Sequence, residues 1–218
     1  MLLSFDVEAG AIAEHDRWHT HEHLPERLSI PGFHRGTRWT ATKGGPRYMV
    51  LYEVENFETL ASEPYITRLN NPTPWTRRMM PHYKGMTRGL CAVLGSFGFG
   101  QGSAAALIRF TPEEARAAPL HRWLLEQGLP PVPDIPGLGS VHLLQGSQMA
   151  AMTTEQRIRG ADRGVDSALI LTGYDASAVA ECAKTLIHDG DLGSRTAGEL
   201  SCATYCWSYS LARAEIDT

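Results

Sequence analysis

The segment EHDRWHTHEHLPERLSIPGF (residues 14–33) places Trp18, His19, His21, Glu22, His23 and Arg27 ahead of Pro31-Gly32-Phe33. His15, His19, His21 and His23, four of nine histidines, fall within nine positions. Imidazole titrates near neutrality and ligates metals, so this density points to proton handling or metal binding. On a helix, His15, His19, Glu22, His23 and Glu26 share one arc, while Trp18, His21, Leu24 and Leu28 share the more apolar opposite one. Pro25 disfavours helix at Leu24, which predicts that His23 sits at a helix end with its ring free to turn toward a pocket. A neighbouring Glu22 carboxylate would raise its pKa and orient it for acid–base work. His15 and Glu26 fit a solvated face, and His21 fits either the pocket or the core. His19 and His23 at i,i+4 could hold a metal. However, Glu22 directly precedes His23, unlike the H-E-x-x-H order, and no third ligand is evident, so no metal is assigned.

Further candidates lie downstream. Arg38 follows the Pro-Gly-Phe turn and could bind a planar anion between sheet and helix. Tyr52 could add a phenol to the same space. Trp75 and Met79 could line an apolar pocket. The glycines at 98–102 precede a strand, so they do not form a dinucleotide or phosphate loop. No G-x-S-x-G element occurs. Cys91, Cys182, Cys202 and Cys206 form no CxxC pair and read as free buried thiols.

The elements that must position these residues repeat. LLSFDVEA reads as a strand, followed by the histidine-rich helix and the strands TRW and RYMVLYEV around the turn TKGGP. A helix capped by Asn56 follows, broken at Pro72-Thr73-Pro74, and RGLCAVLGSF returns as a strand. The second half repeats β-α-β-β-α-β: SAAALIRF, a helix opened by a Thr111-Pro112-Glu113-Glu114 capping box, IPGLGSVHLLQG, SALILTGYD, ASAVAECAKTLI and ELSCATYCWSYSL. Pro31-Gly32-Phe33 aligns with Pro136-Gly137-Leu138 at an offset of 105 (136 − 31), as do Trp18 with Trp123 and Leu24-Pro25 with Leu129-Pro130. The expectation is an α+β fold with two tandem ferredoxin-like units, 1–98 and 103–218, packed through their antiparallel sheets. At the same offset His19, Glu22 and His23 become Leu124, Gln127 and Gly128. Chemistry is therefore expected in the first unit, with the second as a degenerate structural copy.

Net charge −4 and a pI near 6.1 give no footprint for nucleic acid. No apolar stretch reaches the ~18–20 residues of a membrane span, and the amino terminus lacks signal-peptide features. A cytoplasmic protein with a small-molecule substrate is expected.

The motif W-x-x-x-E-H-x-P (Trp18, Glu22, His23, Pro25), the turn Pro31-Gly32-Phe33, and Arg38, Tyr52 and the PTPW of 72–75 resemble the dimeric α+β barrel superfamily, closest to its EthD-like and related branches. That resemblance implies ferredoxin-like units paired through their sheets, with a pocket between sheet and helices and His23 as catalytic residue. It also implies activities from cofactor-independent monooxygenation to isomerisation, cyclisation, decarboxylation and heme chemistry. Because this chain is a fused tandem, a homodimer becomes optional. The leading expectation is a cofactor-independent isomerase, lyase, decarboxylase or cyclase acting on a small aromatic or related metabolite by histidine proton transfer. In it His23 is the acid/base, Glu22 its orienter and Arg38 the anion anchor, with Trp18, His21, Tyr52, Trp75 and Met79 around the substrate. The alternatives are a cofactor-independent monooxygenase of a phenolic substrate and a non-enzymatic ligand-binding protein.

Overall fold

A computed structural model describes residues 1–147, 152–188, 192–196 and 200–216. The first half supplies strands β1 (Leu2–Val7), β2 (Phe33–Lys43), β3 (Tyr48–Val54) and β4 (Tyr83–Gly98). The second supplies β5 (Ala104–Phe110), β6 (Leu138–Ser147), β7 (Ser167–Gly173) and β8 (Ser201–Ala212). Pairing is antiparallel throughout, in the matching orders β2-β3-β1-β4 and β6-β7-β5-β8. The two sheets join at β2–β8, with Thr40 opposite Cys206, and at β4–β6, with Val93 opposite Leu144. The result is a closed eight-stranded barrel without a free sheet edge.

Strand alternation sorts the core into three layers. On β3, Tyr48, Val50 and Tyr52 face the first half's helices, whereas Met49 packs into the barrel lumen beside Trp39, Leu144 and Ile170. The second half's helix-facing layer is aliphatic, with Leu120, Leu124, Leu129, Val179 and Leu186.

The histidine-rich segment is one helical run: α1 (Ile12–Trp18), a π-helical turn (His19–His23) and α2 (Leu24–Leu28). This corrects the expected helix end near Leu24. The wider π turn carries the chain across, and Pro25 falls in the first turn of α2, where its missing N–H does little harm. In the second half α5 (Ala117–Trp123) enters a π turn over Leu124–Gly128, offset again by 105 residues from His19–His23. The turns before β2 and β6 both need a left-handed glycine, Gly32 (φ 86°) and Gly137 (φ 97°).

Other expectations need correction. Asn56 accepts from the Thr59 N–H (3.0 Å) and so caps only a short 3₁₀ turn, while Ser62 caps α3 (Glu63–Asn70). Thr73 caps α4 (Pro74–Met79). The capping box at Thr111 does not form, because its hydroxyl donates to Asp166 (2.6 Å) and α5 begins only at Ala117. Cys182 is buried and Cys91 half-buried, but Cys202 and Cys206 are exposed.

One element was unanticipated. The β2–β3 connection spans only residues 44–47, whereas the β6–β7 connection runs from 148 to 166 and contains α6 (Thr154–Arg159). Its return is pinned to β4 by Arg163 N–H to Met86 O (2.9 Å) and Arg88 N–H to Arg163 O (2.8 Å). The connection thereby lays α6 against α3 and the Met80–His82 turn of the first half. Helix α7 (Ala176–His188) completes the second half's cover. Among the described residues no helix is long and apolar enough to cross a membrane.

Candidate active site

The π turn stacks three imidazoles along the buried face of the helix. Ring centroids lie 5.4 Å apart for His15–His19 and 5.5 Å for His19–His23, and Trp18 packs on His23 at 4.4 Å. Burial holds Tyr83 protonated, so its hydroxyl donates to His15 Nε2 (3.1 Å), leaving Nδ1–H for Asp16 (3.3 Å). His15 is therefore a satisfied core residue, which corrects its solvated-face reading. Glu26 is also largely buried, beside Arg27.

Below it, His19 Nδ1 and His23 Nδ1 are buried without a hydrogen-bond partner among the described residues. Burial pushes both imidazoles well below their usual pKa. His15 adds to this at His19, and Arg27 adds to it at His23, so both rings are neutral near pH 7.

His23 opens on a cavity of about 30 Å³. Arg27, Tyr52, Tyr65 and Arg88 line it from the first half, and Glu155 of α6 closes it from the second. Arg27 Nη2 donates to Glu155 Oε1 (2.5 Å). Burial opposes the Arg27 charge and is the largest single influence, but Glu155, Tyr65, Glu26 and Tyr52 together outweigh it and raise the pKa. Arg88 Nη2 donates to the Tyr65 hydroxyl (3.0 Å), and among the described residues no carboxylate forms an ion pair with Arg88 although it is only 7% exposed. The Tyr52 hydroxyl is buried with no hydrogen-bond partner among the described residues, and burial pushes its pKa up. The second half thus contributes to the first half's site.

Of the residues expected from sequence, His23, Trp18 and Tyr52 come together here. Glu22 turns the other way. Its Oε1 accepts from Trp18 Nε1–H (3.1 Å) and the Thr73 hydroxyl (2.6 Å), clasping the helix to the start of α4. It does not orient His23. Arg38 donates to Asp16 O and Thr20 Oγ1 (both 3.2 Å), so it anchors the helix rather than an anionic ligand. His21 is exposed. Trp75 ties to Glu14 (2.8 Å) under Arg17, and Met79 is core. Sequence reading noted Arg27 without giving it a role, and missed Tyr65, Arg88 and Glu155. Thr153-x-x-Gln156 was a legible signal for α6, and the Gln156 side chain does accept from the Thr153 N–H (2.9 Å).

No protein-family model matches the chain, and no curated protein is similar to it in sequence. Solved structures share its fold. An anthrone oxidase-like protein is 11% identical with a TM-score of 0.69, the match covering 99% of this chain and 92% of that one. A candidate monooxygenase from Fusobacterium nucleatum subsp. nucleatum is 7% identical at 0.62, covering 97% and 92%. Another from Lactobacillus acidophilus is 10% identical at 0.58, covering 97% and 94%. At such identities the likeness shows the fold alone, an α+β architecture of antiparallel sheet and helices. The comparison also corrects the isomerase, lyase, decarboxylase or cyclase expectation. The three structures just described are named for oxidase or monooxygenase chemistry, and the Glu22–His23 pair on which that expectation rested does not form.

Proposed function

We propose that the chain is an oxidase or monooxygenase of a small, electron-rich aromatic substrate, a phenol or anthrone, working without a bound cofactor at the helix–sheet layer of the first half. The observation that carries this reading is the buried Arg88 guanidinium, which has no acidic partner among the described residues and lines the same cavity as the neutral His23 imidazole, itself unpartnered among those residues. An uncompensated buried cation is costly, and an anionic substrate oxygen would repay that cost. His23 takes a proton from the substrate, and Arg88 and the Tyr52 hydroxyl hold the resulting oxyanion. Trp18 packs beside the ring. The anion is electron-rich enough to reduce O₂, which becomes attached at carbon. For an activated CH₂ the balance closes: CH₂ plus O₂ gives C=O plus H₂O, all four electrons coming from the substrate.

A 30 Å³ space holds about one water. Admitting an aromatic ring therefore requires α6 to swing away and the Arg27–Glu155 contact to part, after which closure would exclude water. We read 1–98 and 103–218 as fused copies of one ferredoxin-like unit, so that the second sheet serves in place of a partner protomer. The EthD-like branch rests on the sequence resemblance alone: the Trp18–Pro25 motif, Pro31-Gly32-Phe33, Arg38, Tyr52 and the PTPW of 72–75.

The test is oxygen uptake with anthrone, with ¹⁸O₂ label followed into the product. Wild type should consume one O₂ per anthrone and place one labelled atom in the quinone. Arg88→Met should lower turnover about 10²–10³-fold with its circular dichroism unchanged. No uptake above the spontaneous rate, or undiminished uptake in a folded Arg88→Met, would remove the proposal.

A further inference from the structure

A second space, larger than the one beside His23, lies between the two sheets. At one end of the barrel lumen lies a cavity of about 330 Å³, within the range of small-molecule sites. Leu51, Leu144 and Ile170 give it apolar walls, and Trp39 closes its inner side. The Trp39 indole is fully buried, and its Nε1–H has no acceptor among the described residues. Indole N–H only donates, so whatever satisfies it must present an acceptor.

The mouth is polar but electrically balanced. Glu53 Oε1 accepts from Gln101 Nε2 (3.1 Å) and lies 3.6 Å from Arg35 Nε. His142 meets Ser96 through Nδ1 (2.8 Å) and Ser140 through Nε2 (3.2 Å). Burial lowers its pKa, so it brings no charge near pH 7. The Met1 amino group also borders the cavity and donates to Tyr52 O (2.8 Å), but burial lowers its pKa to about 6. Near pH 7 a carboxylate or an ammonium would thus be desolvated inside without a standing opposite charge. The mouth continues into an outer hollow bounded by Trp207 and Ser210, which gives a ligand a route in.

We infer that the barrel lumen is a second binding site, which borders the His23 cavity at Met1 and Tyr52, for a neutral one- or two-ring aromatic ketone whose carbonyl accepts the Trp39 indole N–H. Ligand and protein then satisfy one another: the ring fills the space between Leu51, Leu144 and Ile170, and the oxygen ends the orphaned state of the donor.

The probe is 1-tetralone, followed in ¹H–¹⁵N spectra of the full chain. Of the five tryptophan indole signals, the one absent in Trp39→Phe belongs to Trp39. Saturable movement of that signal on titration is the expected result. Followed at the Ile170 methyls, Trp39→Phe should bind about 2–10-fold more weakly, and tetralin, which lacks the carbonyl, should lose a similar factor on wild type. Leu51→Trp, which fills the cavity, should abolish binding, 1-naphthoate should not bind, and His23→Ala should bind as wild type does. Movement only at Trp18, full affinity in Leu51→Trp or Trp39→Phe, or equal binding of the carboxylate would overturn the assignment. Because this readout is binding without turnover, it fails or succeeds independently of the oxidase reading.

Discussion

The two helix–sheet layers are built on one backbone plan and filled in opposite ways. Both carry a helix that passes through a π turn, a tryptophan just before it and a left-handed glycine before the next strand. At equivalent positions the first layer holds His15, His19 and Arg27, and the second holds Leu120, Leu124 and Val132, all buried. The aliphatic filling shows what this geometry accepts when only packing matters. Placing imidazoles and guanidinium groups there instead carries a desolvation cost that packing alone does not require. The π turn, which often marks functional sites, is here a property of the scaffold, since both layers have it. What differs is the chemistry hung upon it, and the strap from the second half that closes over it.

Converting first-layer residues to their second-layer counterparts puts this contrast under strain. The largest effect should come from Arg27→Val, which leaves the Glu155 carboxylate buried and unpaired. A loss of about 3–5 kcal/mol in urea denaturation is expected, most of it recovered in Arg27→Val/Glu155→Leu. If the single variant were as stable as wild type, α6 would not be latched as described.

Next comes pH. His19 and His23 are held neutral in the folded protein by burial, so their folded pKa values lie below those of the unfolded chain. Below about pH 6.5 the unfolded chain takes up protons that the native one does not, so stability falls as pH drops and is level above that point. His19→Leu should remove up to about 1.4 kcal/mol per pH unit of this slope. An unchanged slope would mean that His19 protonates freely in the native state.

The smallest effect belongs to Glu22→Gln, which installs the residue found at 127. Weakening the charge-assisted bonds from Trp18 and Thr73 should cost about 1 kcal/mol and leave turnover within about twofold. A hundredfold drop in turnover with the fold intact would return Glu22 to the chemistry.

These residues also show how far the sequence could be read. The succession of strands and helices along each half was legible because strands alternate and Trp, Leu-Pro and Pro-Gly recur in register. His23, Trp18 and Tyr52 were legible as a group from residue type and the phase of the helix. Arg38 and Glu22 were misassigned because spacing gives a side chain's face but not its partner: Asp16 O and Thr20 claim Arg38, and Thr73 claims Glu22. Glu155 was beyond reach. It lies 128 positions from Arg27, on a connection whose path over β4 no local pattern encodes.

The central claim is that one layer reacts and the other supports. Matched alanines at equivalent positions of the two π turns, His23→Ala and Gly128→Ala, test it directly when oxygen uptake with anthrone is recorded side by side. A fall of about 10²–10⁴-fold for the first, with the second within about twofold of wild type, is the predicted result. Equal activity in both folded variants, or an equal loss in both, would contradict it.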